Sequence, residues 1–178
     1  MKARIIMTFE CPRKCTYCCN EYHSIINGGV KASLWDILDE KPSEILITGG
    51  EPILYPNLIK TISRQAYLND IPTYLYTAFW NPARTDSELE AIISEVNGIH
   101  YTLHAATGSN EIQEFYRFQI MINQEKFKHK SFRLFVHSEV RHPIEIHPWL
   151  YKRIESKQWI DEKDCQLPEG EKLFILQD

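Results

Sequence analysis

The chain has no apolar run approaching the roughly 20 residues a bilayer-spanning helix needs, so no membrane segment is expected. Its N-terminus, Met1-Lys2-Ala3-Arg4-Ile5-Ile6-Met7, begins basic, but the apolar stretch is too short for a secretory leader and no cleavage-like site follows. Low-complexity tracts, internal repeats and Pro/Gly/Ser-rich linkers are absent, which predicts one domain over 1–178, long enough for a substantial core. There is no excess of positive charge. Lys and Arg number 20 against 24 Asp and Glu, a net charge of −4, which argues against a duplex nucleic acid as partner and leaves a small nucleotide open. Cysteine is scarce and unevenly placed. Five is an odd count, and four of them fall between positions 11 and 19. A disulfide framework is therefore not expected, and the reducing cytoplasm is the expected compartment.

What the chain does have is the run Cys11-Pro12-Arg13-Lys14-Cys15-Thr16-Tyr17-Cys18, a C-x₃-C-x₂-C spacing just after an apolar stretch. Four cysteines saturate a [4Fe–4S] cluster, one per iron. Three leave one iron open, and an open position marks a metal site that does chemistry. A structural zinc site needs a fourth ligand, for which Cys19, His23 and the distant Cys165 are available. The spacing alone leaves both readings standing.

Along the chain, short β-rich runs alternate with helical stretches. Arg4–Phe9 reads as a first strand, followed by the cysteine loop, Gly28-Gly29 and a short helix near Ser33–Glu40. Glu44–Thr48 is an apolar strand ending in Gly49-Gly50-Glu51-Pro52. Asn57 is placed to cap a helix running to about Asn69, with Leu58, Ile59, Ile62 and Ala66 on one face. Thr73–Phe79 is a third strand. A helix begins at Asp86 or Ser87, with Leu89, Ile92, Ile93 and Val96 at helical spacing, and Gly98 ends it. Ile99–His104 is a fourth strand, Asn110–Phe127 a helix, Phe132–Val136 a fifth strand, His147–Trp159 a helix and Leu173–Leu176 a sixth strand. Such alternation predicts an α/β fold with a parallel sheet, either doubly wound or a partial barrel. Both place active sites at the C-terminal ends of the strands. The cysteine loop, the glycine pair, Thr77, Thr102, His104, His137, Ser138, Glu139 and Gln177 all fall there.

Two of these features together carry a resemblance: Cys11-x₃-Cys15-x₂-Cys18 with Tyr17 before its last cysteine, and Gly49-Gly50-Glu51-Pro52 closing the second strand. In this order and on these elements, the chain resembles the radical S-adenosylmethionine (radical SAM) superfamily. The resemblance implies a laterally open partial (β/α)₆ barrel of minimal size, covering nearly the whole chain. It implies that Cys11, Cys15 and Cys18 hold one [4Fe–4S] cluster and that S-adenosylmethionine chelates the open iron. A one-electron reductant of flavodoxin or ferredoxin type would drive cleavage of the S–C5′ bond, and the 5′-deoxyadenosyl radical would take hydrogen from a substrate. Tyr17 is implied near the adenine. Gly49, Gly50 and Glu51 are implied near the methionyl amine, with Pro52 fixing the turn. Thr102 and His104 alternate onto one face of strand four and stand where relatives bind the ribose and the methionyl carboxylate. The acidic or lysine residues commoner there are absent. Thr77, Ser138 and Gln177 are further candidates by their position at strand ends. Arg13 and Lys14 either ease the thiolate charge or are solvated.

Beside these stand plainer readings. Cys19 reads as a small buried side chain, and Cys165 as a surface thiol directly after the solvated stretch Asp161–Asp164. His100 and His104 share one alternation along strand four, most of the seven histidines read as surface or satisfied polar residues, and Trp35, Tyr74, Tyr76, Phe79 and Trp80 as core. The loops Trp80–Arg84 and Arg141–Trp149 are expected near the mouth of a wide opening, from which substrate or a partner excludes water. No motif names the substrate. A small molecule, nucleotide or peptide is the first expectation. A glycyl-radical protein, with the chain as its activase, is the second. A non-catalytic zinc or iron–sulfur module is the alternative of another class.

Overall fold

The computed structural model describes residues 1–13, 15, 18–21, 23–78, 83–104, 108–140, 143–158 and 166–177. Among them run β1 (Lys2–Ile6), α1 (His23–Ile26), β2 (Val30–Ala32), α2 (Leu34–Asp39), β3 (Glu44–Thr48), α3 (Pro56–Leu68) and β4 (Thr73–Thr77). These are followed by α4 (Asp86–Glu95), β5 (Gly98–Leu103), α5 (Ser109–Ile122), β6 (Ser131–His137), β7 (Arg153–Lys157) and β8 (Glu171–Leu176). The strands form one all-parallel sheet in the order β2-β8-β1-β3-β4-β5-β6-β7, which does not close on itself. Among the described residues no helix is long and apolar enough to cross a membrane.

Alternation along each strand sorts the two faces. Ala3 and Ile5, Ile45 and Ile47, Leu75, Ile99 and Tyr101, and Phe132 and Leu134 are buried in one core with Ile59 and Ile62 of α3, Leu89 and Ile93 of α4, and Phe115 and Phe118 of α5. Tyr101 stacks on Phe118 at 4.8 Å between ring centres. The opposite face is polar and aromatic. Arg4 lies over the Tyr76 ring at 4.8 Å, and Tyr76 stacks on His100 at 4.2 Å.

Several boundaries differ from the sequence reading, each for a local reason. The sheet has eight strands among the described residues, not six. The short β2 is one addition and β7 is the other. β7 falls in the segment expected as the helix His147–Trp159, where only Pro148–Leu150 makes a helical turn. Pro148 fits only the start of a turn there, and Arg153-Ile154-Glu155-Ser156-Lys157 alternates in character as a strand does. Leu173–Leu176 is a strand, but β8 lies between β1 and β2 and not beyond the fifth strand. The place next to β6 belongs to β7.

The first strand is Lys2–Ile6, short of the expected Phe9, because Thr8 and Glu10 turn their carbonyls toward the turn after β3. Asn57 does not cap α3. Pro56 opens that helix, its fixed φ suiting the first helical position, after Tyr55. α4 is capped by Thr85, whose hydroxyl accepts from Glu88 N while Glu88 returns to the Thr85 backbone. The long helix stops at Ile122 and is followed by a separate turn at Glu125–Phe127. Trp35, expected in the core, is 62% exposed.

Candidate functional site

The turn after β3 is built by close backbone contact. Gly50 N donates to Thr8 O at 2.7 Å and Glu51 N to Glu10 O at 2.8 Å, which pins the segment after β1 against the segment after β3. Gly49 has φ +127°, a conformation side chains rarely adopt, and a Cβ on it would overlap the Thr8 carbonyl. A Cβ on Gly50 would overlap the carbonyl of Glu10. The pair was expected to bring backbone close to a ligand. The close approach observed is to the chain's own segment leading into the cysteine loop. The Asn20 amide also donates to Gly49 O, adding a tie from beyond Cys18.

Glu51 is fully buried in this turn. Its Oε1 accepts from the Thr77 hydroxyl at 2.7 Å and from Ile53 N at 3.2 Å, and its Oε2 from Ala78 N at 3.1 Å. Burial outweighs those donors and the nearby Arg13 charge, pushing the carboxyl up to about 7. The side chain therefore ties the end of β3 to the end of β4. Pro52 is buried and starts the turn Pro52–Leu54.

The cysteine loop is tied from another side. The Arg13 side chain is 9% exposed; it donates to Ala78 O at 2.9 Å and pairs with Glu111 of α5 at 2.5 Å. Glu111 in turn accepts from Gly108 N at 2.6 Å, closing the start of α5. The solvated alternative for Arg13 is not what is observed: its charge is paired with Glu111.

These ties bring Cys11, Cys15 and Cys18 to one cavity of about 370 Å³ at the C-terminal ends of the strands, a size within the range of small-molecule sites. Gly49, Gly50, Glu51, Thr77, Thr102 and His104 line the same cavity. Cys15 Sγ lies 3.9 Å from His104 Nδ1. Burial, and secondarily the Arg13 charge, lowers His104 to about 4, so its ring is neutral at pH 7. Burial raises the Cys11 and Cys18 thiols above their ordinary value. Cys19 also lines the cavity and is exposed, where a buried side chain was expected. Among the described residues, no three His, Cys, Asp or Glu side chains converge as ligands of a single metal ion would.

Three sequence candidates stand outside the cavity among the described residues: Pro52, Ser138 and Gln177. Ser138 is exposed and does not line it. The preceding residue, His137, expected at the same strand end, does line it, as do Phe135 and Val136 of β6. Its Nδ1 accepts from Glu139 N at 3.1 Å. Gln177 is exposed at the end of β8, which joins the sheet beyond β1. The glutamine on the cavity is Gln158, at the end of β7. Sequence reasoning missed it because it lay in an expected helix, although the alternation of 153–157 was a usable signal. His100 on β5 is buried, and its Nδ1 has no hydrogen-bond partner among the described residues. Tyr17, Lys14, Cys165, Phe79, Trp80, Arg141, His142 and Trp159 lie outside the described residues, as do 161–164 and the side chain of His23.

No protein-family model matches this chain, and no curated protein matches it significantly.

Proposed function

We propose that this chain is a radical SAM enzyme, in which Cys11, Cys15 and Cys18 hold a [4Fe–4S] cluster and S-adenosylmethionine binds beside it. The observation that carries the reading is the shared cavity. The three thiols of a C-x₃-C-x₂-C loop and the Gly49-Gly50-Glu51 turn, separate in sequence, line one space at the ends of parallel strands. The donor set suits the group: three sulfur ligands on one loop leave a fourth iron for a chelating ligand, and soft thiolates favour iron–sulfur chemistry.

When bound, the two cofactors supply reductive cleavage of a sulfonium to a 5′-deoxyadenosyl radical that takes a hydrogen atom from a substrate. The chain's own residues bind, orient and shield. Arg13 holds the cysteine loop against β4 and α5. Glu51 and the glycine contacts hold the β3 turn under that loop. Thr102 offers a hydroxyl and His104 a neutral imidazole, groups able to donate to a ribose or a carboxylate. A flavodoxin- or ferredoxin-like protein is the proposed electron source.

The test is anaerobic reconstitution with iron and sulfide, then dithionite and S-adenosylmethionine. The expected result is about four irons and four sulfides per chain, and formation of 5′-deoxyadenosine and methionine. A colourless protein that retains zinc and leaves S-adenosylmethionine intact would overturn the reading.

A further inference from the structure

The face of the sheet turned away from the helices is charged, and its charges are largely paired. Lys2 pairs with Glu44 at 2.5 Å, Arg4 with Glu171 at 2.7 Å, and Arg153 with Glu155. Arg133 on β6 stands in register between His100 and Arg153. It has no ion pair or hydrogen bond among the described residues, yet its charge is felt by its neighbours. With burial and Arg4, it lowers His100 to about 3, leaving the ring neutral. This region therefore carries positive charge that the described carboxylates leave uncompensated.

Arg4 brings part of that charge to the floor of the cavity, where it lies with Tyr76 and Phe135. Its Nε is taken by Glu171, its plane lies over the Tyr76 ring, and the tyrosine oxygen lies close enough to favour its charge. Beyond Glu171 and that tyrosine oxygen it has no further partner among the described residues, and none of its nitrogens is a buried, unpartnered atom. A guanidinium fixed by Glu171 and Tyr76 that lines the cavity with N–H donors to spare is preorganised for binding an oxyanion. The rings of Tyr76, stacked on His100, and of Phe135 give the same floor flat apolar surface.

We propose that this floor anchors the substrate, and that the substrate is a small molecule carrying an oxyanion group, a carboxylate or a phosphate. The terminal nitrogens of Arg4 bind that group, Arg133 adds charge behind it, and the Tyr76 and Phe135 rings receive the adjoining part of the molecule. The inference rests on the radical SAM reading for the reaction, but the anion site stands independently of it. It selects between the substrate classes open to the sequence, because a backbone glycine of a partner protein carries no such group.

The test is calorimetric titration of the reconstituted chain, and of the chain before reconstitution, with inorganic phosphate and with benzoate at constant ionic strength. At least one probe binds the wild-type chain. Arg4→Lys, which keeps a cation for Glu171 but loses the fork, and Arg133→Gln each weaken that binding about 10-fold or more. Arg64→Gln, on an exposed helix face, does not. Absence of binding by both probes, or equal binding by folded Arg4→Lys and Arg133→Gln, overturns the proposal; if Arg4→Lys does not fold, Arg133→Gln decides. Loss of 5′-deoxyadenosine formation with probe binding intact would count against the radical SAM reading alone. Cleavage with no probe binding would count against the anion site alone.

Discussion

Thr77, the last residue of β4, donates its hydroxyl to Glu51 Oε1 at 2.7 Å across the ends of two neighbouring strands. Both side chains are buried, at 4% and 1% exposure, so neither has water as a substitute partner. Thr77→Val keeps the shape and removes the donor. The expected cost is about 1–3 kcal/mol, the range for leaving a buried acceptor short of a partner. Urea denaturation at pH 8, where the carboxylate is charged, measures it.

Glu51 also sets a pH dependence. Its folded pKa of about 7 stands above the ordinary 4.5, so the native state holds a proton that the unfolded chain has released. Stability from this group is present below about 4.5 and is lost as pH rises through 7, an effect of at most about 3 kcal/mol. His100 and His104, lowered to about 3 and about 4, act oppositely, losing stability as pH falls below 6.5. The slopes offset one another in the wild-type chain. Glu51→Gln removes one of them, so its midpoint temperature rises with pH between 4.5 and 6.5 more steeply than that of wild type. Parallel thermal-melt profiles would refute this.

The glycines of the β3 turn differ from Gly170 in what surrounds them. Gly170 has φ +80° with nothing within 4 Å of a built Cβ, so Gly170→Ala costs backbone strain alone, about 1 kcal/mol. Gly50→Ala drives a methyl group into the Glu10 carbonyl, which cannot yield without moving the segment before Cys11. The expected outcome is a larger loss of stability, together with reduced iron retention after reconstitution. Equal melting temperatures for the two variants would contradict the assigned packing.

Cysteine substitution distinguishes three ligands from four. Cys15→Ala should abolish both the iron–sulfur absorbance and 5′-deoxyadenosine formation. Cys19→Ala should retain both, because Cys19, though it lines the cavity, stands outside the C-x₃-C-x₂-C set. Loss of iron in Cys19→Ala would point to a four-cysteine site with no open position.

Arg13→Gln removes a cation whose side chain is 9% exposed, opposite a Glu111 side chain that is 29% exposed. Because the carboxylate keeps partial access to water, the expected cost is about 1–3 kcal/mol, below that of breaking a fully buried pair. Slower iron uptake should accompany it, since Arg13 ties the cysteine loop to β4. Iron incorporation followed by absorbance tests this against Lys128→Gln, on an exposed pair.

Much of the frame was legible in the sequence because it depends on local physics. Glu44–Thr48 was placed to the residue, since a run of apolar residues bounded by turn signals has few alternatives. The helices around Ile59, Leu89 and Phe115 followed from apolar spacing, and the sharing of one face by Thr102 and His104 from strand alternation. The start of α4 at Asp86 was placed correctly, while boundaries slipped where Pro56 and Asn123 decided the ends, because a cap is a matter of one or two hydrogen bonds.

The sequence by itself determined the α/β alternation, the three-cysteine loop and the glycine turn that were candidates for one site. Tertiary structure alone decided which strand ends meet there. β8 inserts beside β1 and carries Gln177 away from the cavity, while β7 takes the place beside β6 and brings Gln158 to it. One residue of register separates exposed Ser138 from inward His137. Strand order and register depend on pairings between segments up to the full length of the chain apart, and no local pattern records them. The same distance hid the pairing of Arg4 with Glu171, 167 residues away, which fixes the orientation of the cavity floor.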